Sequence, residues 1–382
     1  MAVFNWSDIT IDMKTGDRSF SSADLSTMPQ LADPTMSFVH EYIHYLQSLG
    51  SVAGARWLSE MIDVAVLTAL LLDGHIPEDE VRRKTTIQVP ISLFVVDILR
   101  KHPDGAAKAT RIQARFQPLR ADGVRIFSID GCCYGGNAKP FEVIQQPVDG
   151  EYYWGYITAR GIFQPFNVAF LAENMARALD QRLRSACGFT AHSWDAGPRE
   201  TELYNGLKSI LLQNKYARNI ASQYLGDIVI VLCALALATG QPDTALKDML
   251  DRLGEARNLG GLPVTVAREL RRHLGTNLHA TPFNEAMEHI QRSNGPAAAM
   301  ASAERIEIYE HQKSLQKVAN TVLHEPSFFV DGETTWQRVL SWLEGFGLTR
   351  VVASDGPVHA VGHATSRVTL SELLGQAWRV LT

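Results

Sequence analysis

The stretch Ser37-Phe38-Val39-His40-Glu41-Tyr42-Ile43-His44-Tyr45-Leu46 constrains this chain more than any other, because it sets two imidazoles and a carboxylate within little more than one helical turn. Its surroundings predict a helix over 34–49. Asp33 suits the N-cap, Pro34 the first turn and Gly50 the stop, and Thr35 to Leu49 contains no proline or glycine. On a helix, residues four apart share a face, so His40 and His44 can reach one metal ion. Glu41 projects about 100° away, beside the metal rather than onto it. That is where a general base for a zinc-held water belongs.

His40-Glu41-Tyr42-Ile43-His44 is an HExxH motif and resembles the signature of the zincin metallopeptidases. The flanks fit its longer form: Phe38, Tyr42, Ile43 and Tyr45 are uncharged and Leu46 is hydrophobic. The resemblance implies a Zn2+ cofactor held by His40 and His44, with Glu41 as the general base of peptide hydrolysis.

Two histidines do not complete a catalytic zinc site, so a third ligand is required. Glu173 is the candidate, on a helix predicted from about Asn167 to Cys187 and closed by Gly188. Ala169 and Ala176 share its face and leave room for a neighbouring helix, and a carboxylate in an apolar stretch needs a partner. The segment also resembles the ligand helix of the gluzincin branch, in which a glutamate followed three residues on by alanine completes the site. Here that pair is Glu173 and Ala176, further from His44 than in compact members. The alternative for Glu173 is an ion pair with Arg177 at helical spacing.

Other groups compete for roles. His192 follows the same helix, and His359 and His363 are four apart, although Gly362 and Asp355-Gly356-Pro357 predict a loop there. Glu60 or Asp63, on a helix predicted over 55–72, could accept the second N–H of a ligating imidazole. Tyr204, Tyr216, Tyr224 and His192 are all candidates to steady the oxyanion formed as water attacks a carbonyl. Tyr204 and His192 are carried forward as catalytic candidates with Glu41.

With 382 residues, 46% of them hydrophobic, the chain can bury a substantial core. The pattern predicts a mainly helical α+β fold: a zincin-like catalytic core with a small antiparallel sheet, and a helical C-terminal half. Residues 1–197 would form the zinc-binding catalytic region, with ligand helices near 34–49 and 167–187, and 198–382 would complete or cover the cleft. Strands are expected at Ile9–Met13 with a return at Arg18–Phe20, at Val124–Ile129, and at Phe141–Ile144 and Tyr152–Ile157 around a turn at Pro147–Gly150. Cys132 and Cys133 fall in an expected glycine-rich loop. Helices are expected over 106–116, 201–217, 220–239, 244–253, 264–273, 285–291, 297–323 and 371–380.

The net charge of −5 comes from mixed charges with no basic run, so nucleic acid is not an expected partner. The N-terminus lacks the basic-then-apolar pattern of a secretory signal, and the four cysteines read as thiols, which points to a cytoplasmic protein. The most apolar run, Ile228 to Ala238, falls short of the roughly 20 residues a bilayer takes and reads as a core helix, so no membrane partner is expected. The expected function is a zinc-dependent hydrolase, foremost a metallopeptidase acting on a peptide or protein. The alternatives are a zinc-dependent tailoring or biosynthetic enzyme for a small molecule or one dedicated protein partner, and a binding module with a structural or vestigial metal site.

Overall fold

The structure is a computed structural model that describes residues 2–5, 10–13, 32–54, 71–72, 74–77, 99–100, 105–115, 120–121, 124–127, 131–133, 139–148, 151–186, 198–213, 216, 220–255, 262–275, 330, 337, 341, 351–353 and 356–358. The early elements are β1 (Ala2–Asn5), β2 (Thr10–Met13), α1 (Ala32–Gly50) and α2 (Ala106–Arg115). The central strands are β3 (Arg120–Ala121), β4 (Val124–Phe127), β5 (Gly131–Cys133), β6 (Val143–Val148), β7 (Glu151–Ile157) and β8 (Ile162–Pro165). Five helices follow: α3 (Val168–Ala186), α4 (Pro198–Gln213), α5 (Leu225–Leu237), α6 (Pro242–Glu255) and α7 (Pro263–Leu274). Two short strands, β9 (Val351–Ala353) and β10 (Gly356–Val358), come last. Helix predominates, and the fold is α+β and mainly helical.

The core centres on α5. Every side chain from Ile228 to Ala238 is buried, because α3, α4, α6 and α7 all pack against this helix. At roughly 1.5–3 kcal/mol for each buried Val, Leu or Ile, this run is a major part of the driving force for folding. No helix among the described residues is long and apolar enough to cross a membrane.

α3 links this core to α1. It packs on α5, α4 and α1, and its buried residues, Phe170, Leu171, Met175, Leu179 and Leu183 among them, recur at helical spacing. Asn167 caps it, its Oδ1 accepting the Phe170 N–H at 2.9 Å.

The antiparallel sheet has strand order β3-β4-β5-β8-β7-β6. The expected hairpin strands are present as β6 and β7, but Pro147 and Val148, expected in the turn, extend β6 and pair with Tyr152 and Glu151; Asp149 and Gly150 lie outside the described residues. Cys132 and Cys133, expected in a loop, lie on β5, paired with Phe163 and Ile162 of β8. Tyr156 of β7 stacks with Phe141 and Phe166 and meets Phe170, joining the sheet to α3.

A second sheet has order β1-β2-β9-β10. β2 pairs antiparallel with β1 and parallel with β9, so the partners of the expected first strand precede it and come from the far end of the chain. Gly356 and Pro357, expected in a loop, pair with Ala353 and Val352. Proline is tolerated there because β10 is an edge strand. The expected return strand at Arg18–Phe20 and the helices expected over 285–291, 297–323 and 371–380 lie outside the described residues, as does 55–70 of the predicted 55–72 helix.

Candidate metal centre

α1 is embedded in the protein. Of residues 38–47, all are buried except His40 and Glu41, which are partly exposed. Phe38, Val39, Tyr42, Ile43, Tyr45 and Leu46 anchor the helix, with Tyr42 stacked between Phe38 and Tyr45. The HExxH turn therefore reaches solvent through His40 and Glu41 while His44 lies behind them.

α3 brings Glu173 to the same point. Its Oε2 is 3.2 Å from His40 Nε2 and 3.3 Å from His44 Nε2. The ligand atoms of the three residues all lie within 4.8 Å of one another. Donors about 2.0–2.1 Å from a shared tetrahedral zinc stand about 3.3–3.4 Å apart, a spacing that Glu173 Oε2 already keeps to each imidazole nitrogen. The two imidazole rings are nearly perpendicular, at 88°, as two ligands converging from one helix face can be. The chemistry of the donor set, two imidazole nitrogens and one carboxylate oxygen, also suits zinc.

Without a metal the same atoms form a charge cluster. Burial opposes charge on His44, but attraction and hydrogen bonding to Glu173, with contributions from Glu41 and Gln47, raise its pKa to about 9. Burial likewise opposes charge on Glu173, and His44 and His40 together hold its carboxyl well below the ordinary range. A cation in place of the extra proton would serve the same carboxylate.

Solvent reaches the cluster on one side, where His40, Glu41, Glu173 and Tyr204 are all partly exposed. The Tyr204 ring, on α4, lies edge-on to His40 with centroids 6.0 Å apart. Tyr216 instead packs beside Gly254 of α6, and Tyr224 sits in the short 3-10 turn (Ser222–Tyr224) before α5. Arg177, the alternative partner of Glu173, directs its guanidinium at Asp180 at 2.9 Å. His192, Glu60, Asp63, His359 and His363 lie outside the described residues.

Two amides that the motif does not mark flank the cluster. Gln47 Oε1 is 2.9 Å from His44 Nδ1, and the Gln47 amide nitrogen donates to the Ala172 carbonyl at 3.1 Å. Asn174 donates to the Phe170 carbonyl at 2.8 Å and accepts the Leu207 N–H at 3.0 Å, tying α3 to α4. Neither carries a sequence signal of its own, since Gln47 is followed by Ser48 and Asn174 follows Glu173, and their roles emerge only from how the helices pack. No protein-family model, no curated protein and no solved structure matches this chain.

Proposed function

We propose that the protein is a zinc-dependent hydrolase and that peptide bonds are its substrates. The observation that supports this reading is the convergence of His40, His44 and Glu173 at 3.2–3.3 Å beside the partly exposed Glu41. The arrangement accords with a zincin of the gluzincin type. Zinc bound by these three side chains would supply Lewis acidity and bring a water's pKa near 7.

The remaining work falls to side chains. Glu41 stands on the solvent side of α1, one residue from a ligand, where its carboxylate can take a proton from the attacking water and return it to the departing amine. The Tyr204 ring lies beside His40, and in this reading its hydroxyl would donate to the oxygen that becomes negative. His44 is 1% exposed and is reserved for metal binding.

Metal analysis of the purified protein tests the centre. Near-stoichiometric zinc is expected, reduced severely in His40→Ala and Glu173→Ala. Zinc retained in Glu173→Ala would remove the third ligand. Cleavage of a mixed peptide library should fall by about 10²–10⁴-fold in Glu41→Gln with zinc retained. Stoichiometric zinc without cleavage of any peptide would instead favour the tailoring-enzyme alternative.

A further inference from the structure

Gln47 makes contacts that only an amide in one orientation can make. The Ala172 carbonyl can accept but not donate, so it must face the amide nitrogen, as it does at 3.1 Å. Oε1 then faces His44 Nδ1 at 2.9 Å, and an oxygen acceptor requires a proton on that nitrogen. With Nδ1 committed, the nitrogen left to ligate is Nε2, the atom 3.3 Å from Glu173 Oε2. Gln47 is itself 1% exposed, so water does not compete for either bond. Its backbone is held as well: Ser51 Oγ donates to the Gln47 carbonyl at 2.8 Å and accepts the Gly54 N–H at 2.9 Å.

We propose that Gln47 is a positioning residue of the metal centre, holding His44 in its Nδ1–H tautomer and coupling that orientation to the α3 backbone next to Glu173. One side chain thereby sets the geometry of two ligands on helices far apart in sequence. The inference rests on the metal-binding part of the proposed function and not on the reaction.

The test is zinc affinity, measured by competition with a chromophoric chelator, for the wild type, Gln47→Leu, Gln47→Met and Gln47→Glu, beside the visible spectrum of each Co2+-substituted protein. Gln47→Leu fills the space with no acceptor and Gln47→Met with only a weak thioether one, and both should bind zinc about 10–100-fold more weakly, with an altered cobalt spectrum. Gln47→Glu restores an acceptor for Nδ1–H, so it should recover much of that affinity while unfolding more easily than wild type, because Ala172 loses its donor. If Gln47→Leu does not fold, the comparison of Met with Glu carries the test. Folded Leu and Met variants that bind zinc within about twofold of wild type would overturn the inference, as would a Glu variant no better than Met. A wild type that binds no zinc would overturn the metal reading beneath it, a result distinct from either.

Discussion

His44 is asked to do two things that oppose each other: stay out of water and carry charge. In the metal-free protein the second demand wins: burial is the largest single influence and opposes charge, but attraction and hydrogen bonding to Glu173, with Glu41 and Gln47, together outweigh it, and the pKa rises from 6.5 to about 9. The folded value lies above the unfolded one, so this contribution to stability is complete below pH 6.5 and is lost as pH rises through 9. Glu173 behaves in the opposite sense: its carboxyl is held low, so its contribution is present above 4.5 and disappears on strong acidification. Chelator-treated protein should therefore melt at a lower temperature at pH 9.5 than at pH 6, with a smaller difference in His44→Gln. An equal slope in the two proteins would remove the pair as the cause. Zinc must displace the His44 proton, so its affinity should rise about tenfold per pH unit up to about 9, with proton release visible by calorimetry in buffers of different ionisation enthalpy. His40, Glu41 and His44 were legible in sequence because their relation is local and helical periodicity alone sets it. Glu173 was legible through the cost of leaving a carboxylate in an apolar helix. Gln47 was not, because its partner Ala172 lies on another helix and the role depends on how the two pack.

Between elements, the docking of α4 decides what stands beside His40. α4 approaches β7 and α3 through Gly206: a Cβ there would come within 2.4 Å of the Tyr156 hydroxyl and 2.8 Å of the Phe170 ring. Neither ring can yield easily, since both are fully buried and meet each other at 5.5 Å. Gly206→Ala should therefore destabilise the protein by roughly 1–3 kcal/mol and, by lifting α4, move Tyr204 from His40. Denaturant unfolding measures the first, and the second is a peptide-cleavage rate lower than the stability loss accounts for at temperatures where the variant remains folded. An unchanged unfolding midpoint would show that α4 has slack. This dependence on docking explains why sequence offered Tyr204, Tyr216 and Tyr224 without ranking them: all three fall in the helical stretch after Glu173, and only packing separates them. Helices with a proline start or an amide cap, such as α3, α6 and α7, matched their predicted spans closely because those signals lie within the element. The short strands did not. Gly131–Cys133 and Gly356–Val358 look like loops in isolation and become strands only through partners elsewhere.

At the scale of the molecule, the support beneath the ligand helix comes from both ends of the chain. α1 packs on β1 and β2, β2 carries the fully buried Ile11, and β2 is completed on its other side by β9, whose Val351 is in register with Ile11. β9 is an interior strand, with β2 on one side and β10 on the other, so the backbone of Val352 has a neighbour in each direction, opposite Asp12 and Pro357. Proline already occupies Pro357 on the edge, where a missing N–H is tolerated; at Val352 the same residue would fix φ and disrupt the interior ladder. Val352→Pro should lower stability by about 2–3 kcal/mol, read as a lower urea midpoint. Because α1 rests on this sheet while Glu173 rests on α5 through α3, the loss should also weaken zinc binding, although no ligand has been touched. Saturating zinc should then recover part of the lost stability, since a metal bridging α1 and α3 favours the folded state by mass action. A Val352→Pro protein with the wild-type midpoint and wild-type zinc affinity would show that the ligand helix holds its place without the far end of the chain.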